Sequence, residues 1–128
     1  MELATVPEAA SPEAASLCFA RAVASGDGSA ALACLSREAC VISPDGTSIS
    51  APESIGSFLA QLKLVHPRIQ VEAGRMLTAG AVAVGTQCWR VIAKGSAGEL
   101  YEQVLCAQFV LRRERGSWRV LVAAPWGW

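Results

Sequence analysis

The sequence predicts an α+β domain, with its helices first and its sheet second. Two observations carry this. Ile55, Phe58, Leu59 and Leu62 recur at the i, i+3, i+4, i+7 spacing of an amphipathic helix. From Arg68 onward the apolar period drops to two, and long strand-like runs are separated by short glycine-bearing turns. Helices followed by an antiparallel meander, without strand–helix alternation, make α+β rather than α/β.

The elements follow in order. Residues 1–10 are rich in Ala, Glu and Pro and read as a flexible tail, leaving 11–128 as a single domain. Ser11 can cap a helix, Pro12 suits its first turn, and Glu13 suits the positive end of its dipole. That helix runs through Ala15, Phe19, Ala22 and Val23, and Gly26 is placed to end it in a left-handed turn. Asp27 is placed to cap a second short helix carrying Leu32 and Leu35. Capping is therefore the first reading of this aspartate and catalysis a distant second.

The apolar run Cys40-Val41-Ile42-Ser43 ends in the turn Pro44-Asp45-Gly46-Thr47. Ser50-Ala51-Pro52-Glu53 has the capping-box pattern that opens a third helix. Pro67 ends that helix by about Val65, because the residue before a proline leaves the helical region. Ile69, Val71 and Ala73 then alternate with Gln70, Glu72 and Gly74, and Ala79-Gly80 turns the chain. A long strand runs from Val82 to Ala93, and Lys94-Gly95-Ser96-Ala97-Gly98 breaks it. A second covers Leu100 to Arg112, and Arg115-Gly116-Ser117 turns into a third from Trp118 to Ala124.

Composition narrows the function. Hydrophobic residues make up 52% of the 128 positions and charged ones 17%, which favours a core-rich domain over disorder. Eleven basic residues balance eleven acidic ones and no basic stripe stands out, so no nucleic acid is expected as a partner. Arg112-Arg113-Glu114-Arg115 reads as a solvated hairpin tip rather than a phosphate site. Met1 to Pro7 lacks a basic n-region and a continuous apolar segment, and no apolar run is long enough for a bilayer. The expectation is a cytoplasmic protein with no membrane contact. The cysteines, Cys18, Cys34, Cys40, Cys88 and Cys106, are scattered, odd in number and never paired as CxxC. They read as buried free thiols. With one histidine in the chain, no metal and no cofactor are expected.

The order of these parts resembles the nuclear transport factor 2-like superfamily, home of the ketosteroid isomerases and SnoaL-like polyketide cyclases. The parts are the first helix, Ser25-Gly26-Asp27, the second helix, the strand and turn from Ala39 to Gly46, the capped helix, and Gly116-Ser117-Trp118-Arg119-Val120-Leu121. They span roughly residues 12–127, almost a whole domain. The resemblance implies a cystatin-like cone: a curved antiparallel sheet wrapped around three N-terminal helices, open at one end to a small apolar molecule. It also implies a homodimer paired through the outer sheet face. On the strand after Tyr101, Gln103, Leu105, Ala107, Phe109 and Leu111 alternate with Val104, Cys106, Gln108 and Val110. The resemblance puts the Phe109 set inside. The Val110 set is then an outer face too apolar for water, best covered by a second copy.

Isomerase-like sites use an aspartate to move a proton, and a tyrosine and a protonated aspartic acid to donate hydrogen bonds to the oxyanion. Carried over by spacing, the tyrosine place holds Phe19, the base place before Pro44 holds Ser43, and the second donor place, two before Phe109, holds Ala107. Phe19 keeps the ring and lacks the hydroxyl, Ser43 is no base near neutral pH without an activating partner, and Ala107 has nothing to donate. No catalytic residue is assigned. The resemblance implies a ligand-binding lining of Phe19, Val23, Phe58, Leu62, Val84, Leu105, Ala107, Phe109 and Trp126, punctuated by Ser43, Thr86 and Gln103.

The expected function is binding of a small hydrophobic ligand without the isomerase catalytic set. Two alternatives stand beside it: an isomerase, cyclase or dehydratase with a relocated acid or base, and a homodimeric protein-interaction module. Glu72 and His66 are the candidates for relocation. Glu72 shares its parity with Gly74 and Met76 but reads first as an exposed strand residue. His66 reads first as a residue suited to a helix C-terminus. Cys88 reads as a strand thiol rather than a nucleophile. Trp126 reads equally as a rim contact for a flat ligand and as core or dimer packing.

Overall fold

The structure, a computed structural model, describes residues 9–126. The expected tail over residues 1–8 and the terminal Trp128 lie outside the described residues. Chain order gives α1 (Pro12–Ser25), α2 (Gly28–Ala33), β1 (Leu35–Ile42), β2 (Ser48–Ile49), α3 (Pro52–Val65), β3 (Arg68–Ala79), β4 (Val82–Lys94), β5 (Leu100–Glu114) and β6 (Ser117–Ala124). The class is α+β, as the change of period indicates.

The caps of the first two helices are local and form as the sequence implies. The Ser11 side chain accepts from the Ala14 amide at 3.1 Å, and Gly26 takes a left-handed φ of 78°. The Asp27 carboxylate accepts from the Ala30 amide at 3.0 Å. Ala9, placed in the tail by composition, is tied down. Its amide donates to Ser117 Oγ and its carbonyl accepts from the Trp118 amide, both at 3.0 Å.

Two boundaries differ from expectation. Leu35 is not on the second helix but opens β1, where it pairs with Val120. The Cys34 carbonyl accepts from the Val120 amide at 3.0 Å, so the sheet takes the backbone groups that another helical turn would have used. At α3 the N-cap is Ala51, with no side-chain cap bond. Ser50 stands one residue too early to cap, and Pro52 sets the start. The helix closes at Val65, as Pro67 requires.

The sheet has six strands in the order β2-β1-β6-β5-β4-β3. From β3 to β6 it is the expected antiparallel meander, but β1 runs parallel to β6, so the sheet is mixed. Among the described residues it does not close into a barrel, and β2 and β3 are its edges.

α1 packs across one face of this sheet and buries Ala15, Phe19, Ala22 and Val23. Phe19 meets Phe109 edge-to-face at 6.1 Å, and Trp89 lies 6.5 Å from Phe109. The three rings are fully buried, with Leu111, Val91, Val41 and Val120 around them. Gly85 pairs with Phe109 and Ala83 with Leu111, and the space that a Cβ on Gly85 would fill is taken by Met76 Sδ and the Arg75 carbonyl. Trp89 Nε1 donates to Gln87 Oε1 at 3.0 Å, which satisfies the one polar group that the indole brings inside.

The β3–β4 register breaks between Glu72 and Arg75. At Gly74 an added Cβ would overlap the Thr86 carbonyl, so the strands approach this closely only with glycine there. Gly74→Ala is expected to cost about 1–3 kcal/mol, against about 3–5 kcal/mol for Phe109→Ala, both read from urea denaturation.

Candidate functional site

The residues expected to line one pocket fall into separate places. Phe19, Leu105, Ala107 and Phe109 meet on the inner sheet face, where Phe19, Ala107 and Phe109 have 0% exposure. The places carried over from an oxyanion site therefore sit in packed hydrocarbon.

Phe58, Leu62 and Trp126 gather at the end of α3 and bring His66 with them. The Phe58 and Trp126 rings lie 5.7 Å apart, and those of His66 and Trp126 lie 5.8 Å apart. His66 is buried, and its Nδ1 bonds the Leu62 carbonyl at 3.0 Å. A carbonyl only accepts, so Nδ1 is the donor in this bond. Periodicity gave no signal for this grouping, since Trp126 follows the last strand by two residues.

Val23 lines a different concavity, of about 220 Å³, between α1, α2 and α3. Its walls include Ala22, Gly26, Ala31, Gly56 and Leu59. Lys63 stands on its border, with Nζ donating to the Pro67 carbonyl at 2.9 Å.

Val84 and Thr86 are a correction. Gly85 pairs with Phe109 and shares its face, so the residues on either side of Gly85 turn outward. They border a shallow outer groove of about 410 Å³ with Arg75, Leu77 and Gln108. Valine on the outer face and alanine or glycine on the inner one inverted the apparent polarity of this strand. Gln103 lies on the Leu105 side of β5 but beyond the core, in an exposed position.

Ser43 lies in the turn between β1 and β2, where its hydroxyl donates to the Asp45 carboxylate. The Thr47 amide also donates to Asp45 Oδ1, at 3.0 Å. These bonds, that of Ser43 first, hold the Asp45 carboxyl at about 2. Ser43 thus has a carboxylate partner, but one too acidic to take a proton near neutral pH.

Glu72 does not follow the parity of Met76, because the register break falls between them. It pairs with Cys88 on the outer face, and its Oε1 accepts from Arg90 Nε at 3.2 Å. Arg90 also reaches Glu102 at 3.5 Å.

The Arg112–Arg115 tip is more than solvated. Arg112 donates to Glu114 and to Glu38, each at 2.8 Å, and Ser36 Oγ donates to Glu114 at 2.7 Å. Burial pushes the Glu114 carboxyl up, but the bonds from Ser36 and Arg112 and the charges of Arg112 and Arg119 hold it below its ordinary value. No local motif could show this network, because β1 supplies half of it from more than 70 residues away. Among the described residues, no group of His, Cys, Asp and Glu converges in a metal-binding arrangement. No described helix is long and apolar enough to cross a membrane.

No protein-family model and no curated protein matches this sequence. Solved structures do match. A ketosteroid isomerase-like protein from Erwinia carotovora atroseptica superposes with a TM-score of 0.76 at 16% identity, over 88% of this chain and 89% of that one. A candidate dehydratase of the nuclear transport factor 2-like family from Streptomyces avermitilis gives 0.68 at 18% identity, over 87% and 91%. The fold is nuclear transport factor 2-like. A Mycobacterium tuberculosis protein of unknown function gives 0.67 at 19% identity; the match covers 87% of this chain but only 66% of that one. A nuclear transport factor 2-like fold carries isomerase-like, dehydratase and unassigned names alike, so at these identities it describes architecture and leaves activity to the site.

Two outcomes follow from the site geometry. Asp45 titrates below its unfolded value of 3.8, so its contribution to the turn is complete above that pH and is lost as pH falls through about 2. Carboxyl-carbon NMR should give a midpoint near 2 for Asp45, and Asp45→Asn should abolish the acid-dependent change in the Thr47 amide. Gln87→Leu should strand the Trp89 indole N–H and cost about 1–3 kcal/mol, with a change in tryptophan emission.

Proposed function

We propose that the chain is a binding domain that performs no isomerase-type proton transfer and works as a pair of copies joined through the outer sheet face. The observation that supports this is a continuous apolar row. Leu77 pairs with Val84, Val84 with Val110, Val110 with Val122, and Val122 with Cys40, in register across five strands. Leu77 is 61% exposed and Val84 45%. Leaving such a row in water is unfavourable by roughly 25 cal/mol per Å² of apolar surface.

A second copy is the occupant that fits. A two-fold axis through the face sets row against row, and the formal net charge of +0 opposes no self-association. Arg90, Glu72 and Glu102 supply both signs of charge beside it. The absence of isomerase chemistry rests on Phe19 and Ala107 as apolar core residues and on the low proton affinity of Asp45 beside Ser43.

A second reading keeps the small apolar ligand. The concavity between α1, α2 and α3 favours it, because its walls are mostly hydrocarbon.

Sedimentation velocity should find a dimer, and Val84→Glu should yield a monomer with unchanged far-ultraviolet circular dichroism. A wild-type chain that stays monomeric at high micromolar concentration removes the pairing proposal. For the ligand, naphthalene is the probe. Gly56→Val should abolish its binding without unfolding, since a Cβ at Gly56 meets Leu32 Cδ1 at 3.8 Å and a larger side chain enters the concavity. Turnover of a β,γ-unsaturated ketone that survives contaminant controls and disappears in His66→Gln would overturn the non-catalytic reading.

A further inference from the structure

We propose that Cys18 and Cys34 form a reversible intramolecular disulfide, which makes the joint between α1 and α2 sensitive to oxidation. The two sulfurs lie 3.2 Å apart. Cys18 sits on α1, and Cys34 is the residue that closes α2 and leads into β1. The thiol of Cys34 also points at the Ala30 carbonyl, 3.3 Å away, which fixes its direction.

The two thiols differ in a useful way. Cys18 is half-buried, while Cys34 is buried. Burial, then the contact with Cys18, pushes the Cys34 thiol up to about 12, so it stays protonated. Cys18 is the sulfur that a small oxidant reaches, and Cys34 is the one waiting behind it.

The oxidant is a hydroperoxide. Cys18, as thiolate, attacks the nearer peroxide oxygen. The O–O bond breaks, Cys18 becomes a sulfenic acid, and the departing hydroxide or alkoxide takes a proton from solvent to leave as water or an alcohol. The Cys34 sulfur then attacks the Cys18 sulfur. The S–O bond breaks, and the departing hydroxide takes the Cys34 proton to leave as water. The two thiols together lose two electrons and the peroxide gains two.

The bond closes a loop between positions 16 apart in sequence. Ala22, Val23, Gly26, Gly28 and Ala31, which form one wall of the concavity against α3, all lie inside it. Oxidation therefore locks that wall, and reduction frees it.

The test uses the full chain, treated with hydrogen peroxide, alkylated under denaturing conditions and mapped by mass spectrometry. The expected product is a Cys18–Cys34 peptide lacking two hydrogens, restored to free thiols by dithiothreitol. Oxidation should raise Tm by about 10 °C, as expected for a loop of this size in a domain of this length. Cys18→Ser and Cys34→Ser should show no rise. Cys88 and Cys106 stand opposite each other on β4 and β5 and form the competing pair. A variant with Cys40, Cys88 and Cys106 changed to serine should retain the effect; if it does not fold, peptide mapping of the wild type decides alone. Complete alkylation of Cys34 at every peroxide concentration, cross-links confined to Cys88 and Cys106, or an oxidised chain that melts like the reduced one would each overturn the proposal.

Discussion

The contact between Phe19 of α1 and Phe109 of β5, with Trp89 beside it, is what the rest of the domain is arranged around. A helix laid across a sheet needs large side chains to fill the space between the layers, and these three rings are fully buried there. Gly85 pairs with Phe109 and Ala83 with Leu111 on the inner face. Alternation along β4 then leaves Val82 and Val84 on the other side of the sheet, while Val91 stays in the core. The aromatic cluster fills the core, and the outward valines give the outer face its apolar character.

The same cluster governs the chemistry. A proton-handling pocket needs donors and a base converging on empty space, and here Phe19 and Ala107 are packed in hydrocarbon. Polar chemistry has moved to the perimeter. Ser43 and Asp45 serve the shape of a turn, Glu72 answers Arg90, and Arg112 clamps β5 to β1 through Glu38 and Glu114. The Asp45 and Glu114 carboxylates are each matched with donors that favour the charged form, which makes them poor bases. His66 is buried, and it bonds a carbonyl of the helix that it closes.

Local signals in the sequence were legible and non-local ones were not. Ser11, Gly26, Asp27 and Pro67 act within four residues of themselves, and each does what its type and position imply. The period of two revealed the strands. It did not reveal that β1 would lie parallel to β6, because those partners are about 80 residues apart and alternation carries no information about neighbours. Face assignment failed at Val84 and Thr86, where the inner residues are smaller and less apolar than the outer ones. Glu72 is the exposed strand residue that it first reads as, and one break in register separates its parity from that of Met76. Of the expected lining, Phe19, Leu105, Ala107 and Phe109 share the buried inner face, whereas the grouping of Phe58, His66 and Trp126 depends on where the chain goes after its last strand.

The break in register near Gly74 lies on β3, a strand with one side unpaired. A long straight border of free amides and carbonyls is a template on which further chains can stack without limit. Interrupting that border midway, with arginines at positions 68 and 75 nearby, spoils the template. Attachment along the rim is open-ended and leads to filaments, whereas attachment of two flat faces about an axis is finite. The irregularity in β3 thus bears on assembly as much as on shape: it works against open-ended growth along that rim.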